Sequence, residues 1–199
     1  VNEREIRARF DNETVTVYQA YGHEIADRAL AAGTFVAPFK PDRMTWIKPS
    51  FLWMMYRSGW ATKSQQERVL AIDITHDGLR WALENSCLSH YSDRVHSSHE
   101  AWRAQLAASP VRVQWDPERD LWLRPQPHRA IQIGLGPEAS RRYVDEWIVR
   151  IRDVTPLAHE IHALVQAGDT TTATTRLPHE RPLLSLGRGA YRGLEIPRA

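Results

Sequence analysis

The sequence predicts an α+β fold: a single domain built on a mixed, largely antiparallel sheet with flanking helices. Three observations predict it. Short strand-like runs interleave with helical stretches through residue 168. Val111–Trp115 and Leu121–Leu123 bracket the turn-forming Asp116-Pro117-Glu118-Arg119-Asp120, a hairpin signal foreign to a doubly wound parallel sheet. No G-x-G-x-x-G follows a strand, and no phosphate-loop lysine motif occurs.

The elements follow in order. Val15–Tyr18 alternates among β-branched residues and reads as a strand. Glu24–Ala32 places Ile25, Ala29 and Ala32 on one helical face, and Gly33 stops it. Phe35–Pro41 holds two prolines and reads as loop. Met44–Ile47 is a short strand broken by Lys48-Pro49. Ser50 then caps a helix over Phe51–Ser58 that ends at Gly59. Val69–Ile74 is an apolar strand interrupted only by Asp73, and Thr75 caps a helix over His76–Asn85. Ser97–Ala108 is helical, with Glu100 in its first turn. Beyond the hairpin, Ala130–Leu135 is a strand, Pro137 opens a helix over Glu138–Glu146, Ile148–Val154 is a strand, and Leu157–Ala167 is a helix stopped by Gly168. Periodicity then fades. Residues 1–168 are expected to form the domain and 169–199 an irregular C-terminal tail.

Composition narrows the function classes. Of 199 residues, 42% are hydrophobic and 25% charged, which excludes wholesale disorder. Lys plus Arg total 26 against 24 for Asp plus Glu; a net charge of +2 is too small for a generic polyanion sink. No apolar run approaches the roughly 18 residues of a membrane span, and Val1–Phe10 lacks the apolar core of a secretory signal, so a cytoplasmic protein with no membrane partner is expected. Cys87 is the single cysteine, which excludes an internal disulfide and a cysteine-cluster zinc site. The eight tryptophans are a heavy load, and the only lysines are Lys40, Lys48 and Lys63. An arginine-biased chain favours planar recognition of phosphate or carboxylate, with genomic base composition as the plain alternative.

Met44-Thr45-Trp46-Ile47-Lys48-Pro49-Ser50-Phe51-Leu52-Trp53-Met54-Met55-Tyr56-Arg57-Ser58-Gly59-Trp60 is a distinctive stretch. With Val17–Tyr21 before it, and Val113–Asp120 and Arg129–Leu135 after it, the chain resembles the family catalogued as domain of unknown function 4291 over roughly residues 4–168. That resemblance implies a fold and marked positions but no reaction. A second resemblance, to small NAD-using ADP-ribosyltransferases, implies one. In those enzymes a first strand carries Tyr-His or Tyr-Gln, and a later strand leads through a short loop and a Ser into a helix with a Tyr about six residues on. Here the corresponding residues are Tyr18-Gln19, then Thr45-Trp46-Ile47, Lys48-Pro49, Ser50 and Tyr56. The resemblance implies an ADP-ribosyltransferase-like fold with NAD as substrate. It leaves the catalytic acid unassigned, and Gln19 stands where His is commoner.

The candidate site residues follow from residue type and spacing. Ser50, Trp53 and Arg57 fall near one helical face, and a helix N-terminus beside Lys48 is a phosphate cradle. Trp53 or Trp60 would stack on a base or nicotinamide ring. The plain alternative is a buried helix with Ser50 only a cap. The helix N-terminus is expected to open into the largest polar cleft, with Lys48 and Arg57 exposed to it. Gln19 and Tyr21 point the same way from their strand and would hold a ribose or amide, or else line a polar sheet face. Asp116, Glu118 and Glu146 are the candidate catalytic acids, with exposed turn acids as the alternative for the first two. Arg129 and Gln132 would contact a phosphate or base edge, or make a structural ion pair. His159 and His162 are spaced i, i+3 rather than the i, i+4 of zinc helices.

Three functions remain open. One is an NAD-dependent ADP-ribosyl transfer to a nucleic-acid, protein or small-molecule acceptor. Another is a non-catalytic nucleotide- or RNA-binding module on the same surface. The third is a phosphoester hydrolase holding Mg²⁺ on Asp116 and Glu118, a thin ligand set.

Overall fold

A two-residue strand, β1 (Arg7–Ala8), leads into the first long strand, β2 (Thr14–Tyr21), in a computed structural model that describes residues 3–183. Helix α1 (His23–Ala32) ends at Gly33, whose φ of 72° is the left-handed turn that glycine adopts without steric cost. The apolar run forms β4 (Arg68–Thr75), paired antiparallel to β2 on one side and to β8 (Ile148–Asp153) on the other. Its alternation feeds two cores. Leu70, Ile72 and Ile74 join the larger cluster with Val15 and Val17. Val69 and Ala71 join a smaller one with Tyr18, Phe51, Met54 and Trp60. Asp73, the polar interruption, is buried and accepts from Thr16, Arg150 and Arg152, so its charge is paired.

A second sheet runs in the order β3 (Thr45–Ile47), β7 (Pro125–Leu135), β6 (Val111–Arg119), β5 (Ser86–Leu88). Only β5–β6 is parallel among the described pairs, so the mixed, mostly antiparallel architecture expected from the sequence is found. The two sheets meet where Tyr18 and Lys48 exchange backbone hydrogen bonds of 2.8 and 3.3 Å. That junction places helix α2 (Phe51–Ser58) against β2 and β6. The remaining helices are α3 (His76–Glu84), α4 (His99–Ala108), α5 (Pro137–Arg142), α6 (Thr155–Gln166) and α7 (Thr170–Arg176). Thr75, Ser98 and Asp169 cap α3, α4 and α7 through their side-chain oxygens.

Three expectations are corrected. Asp116–Arg119 belongs to β6 rather than to a turn, and Leu121–Leu123 is the turn rather than the returning strand. The reversal is made by Asp120, whose Oδ1 accepts from the N–H groups of Trp122 and Arg124, with Leu123 at a φ of 62°. The helix expected through Glu146 stops at Arg142 and widens into a π-helical turn, Tyr143–Trp147. The wider turn buries both Tyr143 and Trp147, the latter against Gly78, where a Cβ would collide with the indole. Residues 169–183 are not irregular. The threonine run forms α7, with Ala173 buried, and β9 (Arg181–Pro182) pairs with β1. The rest of the expected tail, 184–199, lies outside the described residues.

Candidate functional site

Lys48-Pro49 ends β3, because proline cannot supply a ladder N–H, and Ser50 turns the chain into α2 with an extended backbone (φ −81°, ψ 123°). The Ser50 hydroxyl uses both of its capacities. Its Oγ accepts from Trp53 N–H at 3.0 Å, capping the helix, and donates to Glu118 Oε1 at 2.8 Å. The first free N–H of α2, on Phe51, donates to Glu180 Oε1 at 2.7 Å. Two carboxylates from distant segments thus converge on one helix N-terminus, where the helix dipole favours negative charge.

Glu118 lies where the β6–β7 register shifts between Pro117 and Arg119, and its Oε1 also accepts from Arg119 N–H at 2.8 Å. Burial pushes its carboxyl above the ordinary glutamate value, against the pull of Arg119 N–H, Ser50 and nearby His128. Burial pushes Glu180 up to about 8; the Phe51 N–H opposes this and the neighbouring Glu118 adds to it. Glu180 is delivered by the strap between α7 and β9, held by the β1–β9 pair and by Arg7, which donates to the Glu180 carbonyl at 3.2 Å. Ser50, Glu118, Glu180, Arg7, Arg119 and His128 line an open cavity of about 440 Å³, together with the end of α7 and His179. Its size lies within the roughly 300–1,000 Å³ of small-molecule sites. Chemically, it offers a carboxyl beside a hydroxyl, a second acid that keeps its proton near neutral pH, and guanidinium groups in the wall.

Beside Glu118, the polar face of β6 and β7 forms a second cluster. Asp116 accepts from the side-chain amides of Gln114 and Gln132. Lys48 is 5% exposed and sits 5.0 Å from the centroid of the Trp53 ring. Burial pushes its ammonium down to about 7; Arg57 adds to this and Asp116 opposes it. The Trp53 indole N–H is buried without a hydrogen-bond partner among the described residues.

The other predicted residues lie elsewhere. Gln19 is buried in a closed network: its amide N–H groups donate to Tyr21 and Thr45, and its carbonyl accepts from Tyr143 at 2.8 Å. Burial pushes the Tyr21 hydroxyl up to about 12. Gln19 and Tyr21 share the strand face that joins the larger core, not the side facing Ser50. Trp60 packs in the smaller core, stacked on His162 at 5.2 Å. Glu146 is exposed beside Arg142 at 3.9 Å, and Arg129 pairs loosely with Glu3. The expectation that Lys48 and Arg57 both open onto the cleft fails. Lys48 is enclosed under Trp53, and Arg57 lies exposed at the opposite end of α2 from Ser50.

Sequence reasoning missed Glu180, Arg7, Arg119 and His128. Strand alternation carries a signal for His128, which is four residues from Gln132 and so on the same face of β7. Glu180 carries none: an acid in a Pro-flanked segment looks like any loop acid until β9 docks.

The model of the family described as Domain of unknown function (DUF4291) matches residues 5–183. No curated protein and no solved structure matches the chain. Among the described residues no helix is long and apolar enough to cross a membrane.

Proposed function

The chain belongs to the DUF4291 family, whose description carries no activity, and from its cavity we propose that it is an N-ribosyl transferase of the ADP-ribosyltransferase type with NAD as substrate. One observation carries the reading: the 2.8 Å hydrogen bond that joins Ser50 to Glu118 at the wall of the cavity. A hydroxyl on a strand-to-helix turn and an acid from a later strand are the pair such chemistry uses.

The reaction breaks the bond between ribose C1′ and the nicotinamide nitrogen. The bonding pair leaves with nicotinamide, and positive charge develops on the ribose. An ionised Glu118 opposite C1′ stabilises that charge, and the Ser50 hydroxyl fixes the carboxylate's direction. The acceptor's nucleophile bonds to C1′ and its proton passes to a base. The ionised Glu118 is the carboxylate that receives it, while Glu180, which holds its own proton near neutral pH, leaves the site with one negative charge rather than two. Arg7 and Arg119 in the wall suit the pyrophosphate. Gln19, Tyr21, Trp60 and Glu146 take structural places in this account, and Asp116 with Gln132 and Lys48 supports the floor beside Glu118.

The test is NAD binding by calorimetry together with nicotinamide release by the purified protein. Release above the buffer rate supports the proposal. Binding without release would leave the non-catalytic nucleotide- or RNA-binding module, and neither at millimolar NAD would remove the transferase reading.

A further inference from the structure

The outer end of the β6–β7 hairpin and the adjoining flank of α2 carry exposed aromatic rings covered by cations. Trp122, at the hairpin tip, is 53% exposed, and the Arg124 guanidinium lies 4.6 Å from its ring centroid. Tyr56, on α2, is 40% exposed, with Arg119 at 3.6 Å from its ring and Lys63 at 5.8 Å. Arg119 reaches from the Tyr56 ring to the hairpin turn, where it donates to the Leu123 carbonyl at 3.3 Å. Arg57 is exposed on the same flank of α2. Three cations thus lie over two rings, and Asp120 is spent on Arg124 and on the turn's backbone. Large exposed aromatics cost solubility and contribute nothing to either core. Paired with arginines, they form a platform on which unpaired bases stack while phosphates meet the guanidinium groups.

Arg119 belongs both to this platform and to the cavity wall beside Glu118. We propose that the Trp122–Tyr56 face binds a single-stranded nucleic acid. Resting on the function proposed above, that strand is the acceptor: a base or terminal group enters at Arg119, bonds to C1′ as nicotinamide leaves, and loses its proton to a carboxylate of the cavity.

The test uses fluorescence anisotropy of the whole chain with labelled single strands of about a dozen nucleotides and the matching duplex. Single strands bind more tightly than the duplex. With about three phosphates contacted, affinity falls roughly 20-fold between about 50 and 200 mM salt. Trp122→Ala weakens binding at least about fivefold, Arg124→Gln weakens it and lowers the salt slope, and Val149→Ser, on the exposed edge strand β8, changes nothing. All three positions are exposed, so unfolding does not explain a loss; a matching circular dichroism melt checks this. Absence of strand binding at low salt overturns the proposal, as does equal binding of the duplex, or wild-type binding by both Trp122→Ala and Arg124→Gln. In the second arm, Trp122→Ala releases nicotinamide from NAD at the wild-type rate but no longer labels the strand. Strand binding with no nicotinamide release keeps the surface and refutes the transferase reading. Nicotinamide release with a bound but unlabelled strand refutes the acceptor role alone.

Discussion

Replacing Glu180 by Gln should change how stability depends on pH more than it changes the fold. Glu180 is half-buried in the cavity wall, and desolvation of its carboxyl raises its folded value from 4.5 to about 8, with Glu118 adding to the rise. A raised carboxyl means that the native state holds a proton the unfolded chain releases. The stabilisation is complete below the unfolded value and is lost as pH rises through the folded one, at about 1.4 kcal/mol per pH unit. Across that interval the ceiling is about 5 kcal/mol, comparable with the whole stability of many domains. Glutamine keeps an oxygen to accept the Phe51 N–H and cannot ionise. Urea unfolding at several pH values from about 5 to 8 should therefore show wild-type stability falling with pH, and Glu180→Gln falling less steeply by close to one proton's worth. Glu118, raised in the same sense, leaves a residual slope in both proteins, and Lys48, lowered to about 7, opposes it in both above that pH. Parallel slopes for the two proteins would refute the placement of Glu180 as a proton-holding acid.

Two further substitutions test the scaffold around the site. Ser50→Ala removes the α2 cap and the partner of Glu118 together, so it should cost about 1–2 kcal/mol in denaturant unfolding, while Ser50→Thr, which keeps the hydroxyl, recovers most of it. Gly78→Ala places a methyl against the Trp147 indole under α3; a loss of about 1–3 kcal/mol and a shifted tryptophan emission are expected.

Local rules explain much of the fold. Ser50, Thr75 and Ser98 announce helix starts because a side-chain oxygen before an apolar stretch satisfies a first-turn N–H wherever the helix ends up. Gly33 and Gly59 announce ends because the left-handed turn is cheap only there. The hairpin was legible as a reversal but misplaced by several residues: Asp-Pro at 116–117 resembles a turn as much as Asp120 does, and only the pairing register with β7 decides. Strand β5 was missed because three residues around Cys87 carry no alternation. In the site, Ser50 and Glu118 were visible as residues, but their contact depends on how α2 crosses β6. Lys48 was read as exposed because a cation without a partner is costly to bury; the structure instead pays with a lowered proton affinity and the face of Trp53. Gln19 looked like a ligand contact, and its capacity is spent on Tyr21, Thr45 and Tyr143, the last 124 residues away.

The central claim is that Glu118, set by Ser50, stabilises a ribosyl cation. The direct measurement is nicotinamide release from NAD by wild type and by Glu118→Gln, each at saturating NAD, with NAD affinity measured alongside. Glutamine is nearly isosteric but carries no charge. The account predicts affinity within about threefold and a rate lower by about 10²–10³, the scale of losing one preorganised electrostatic contact to a transition state. Equal rates for the two proteins, or no release by the wild type, would contradict it.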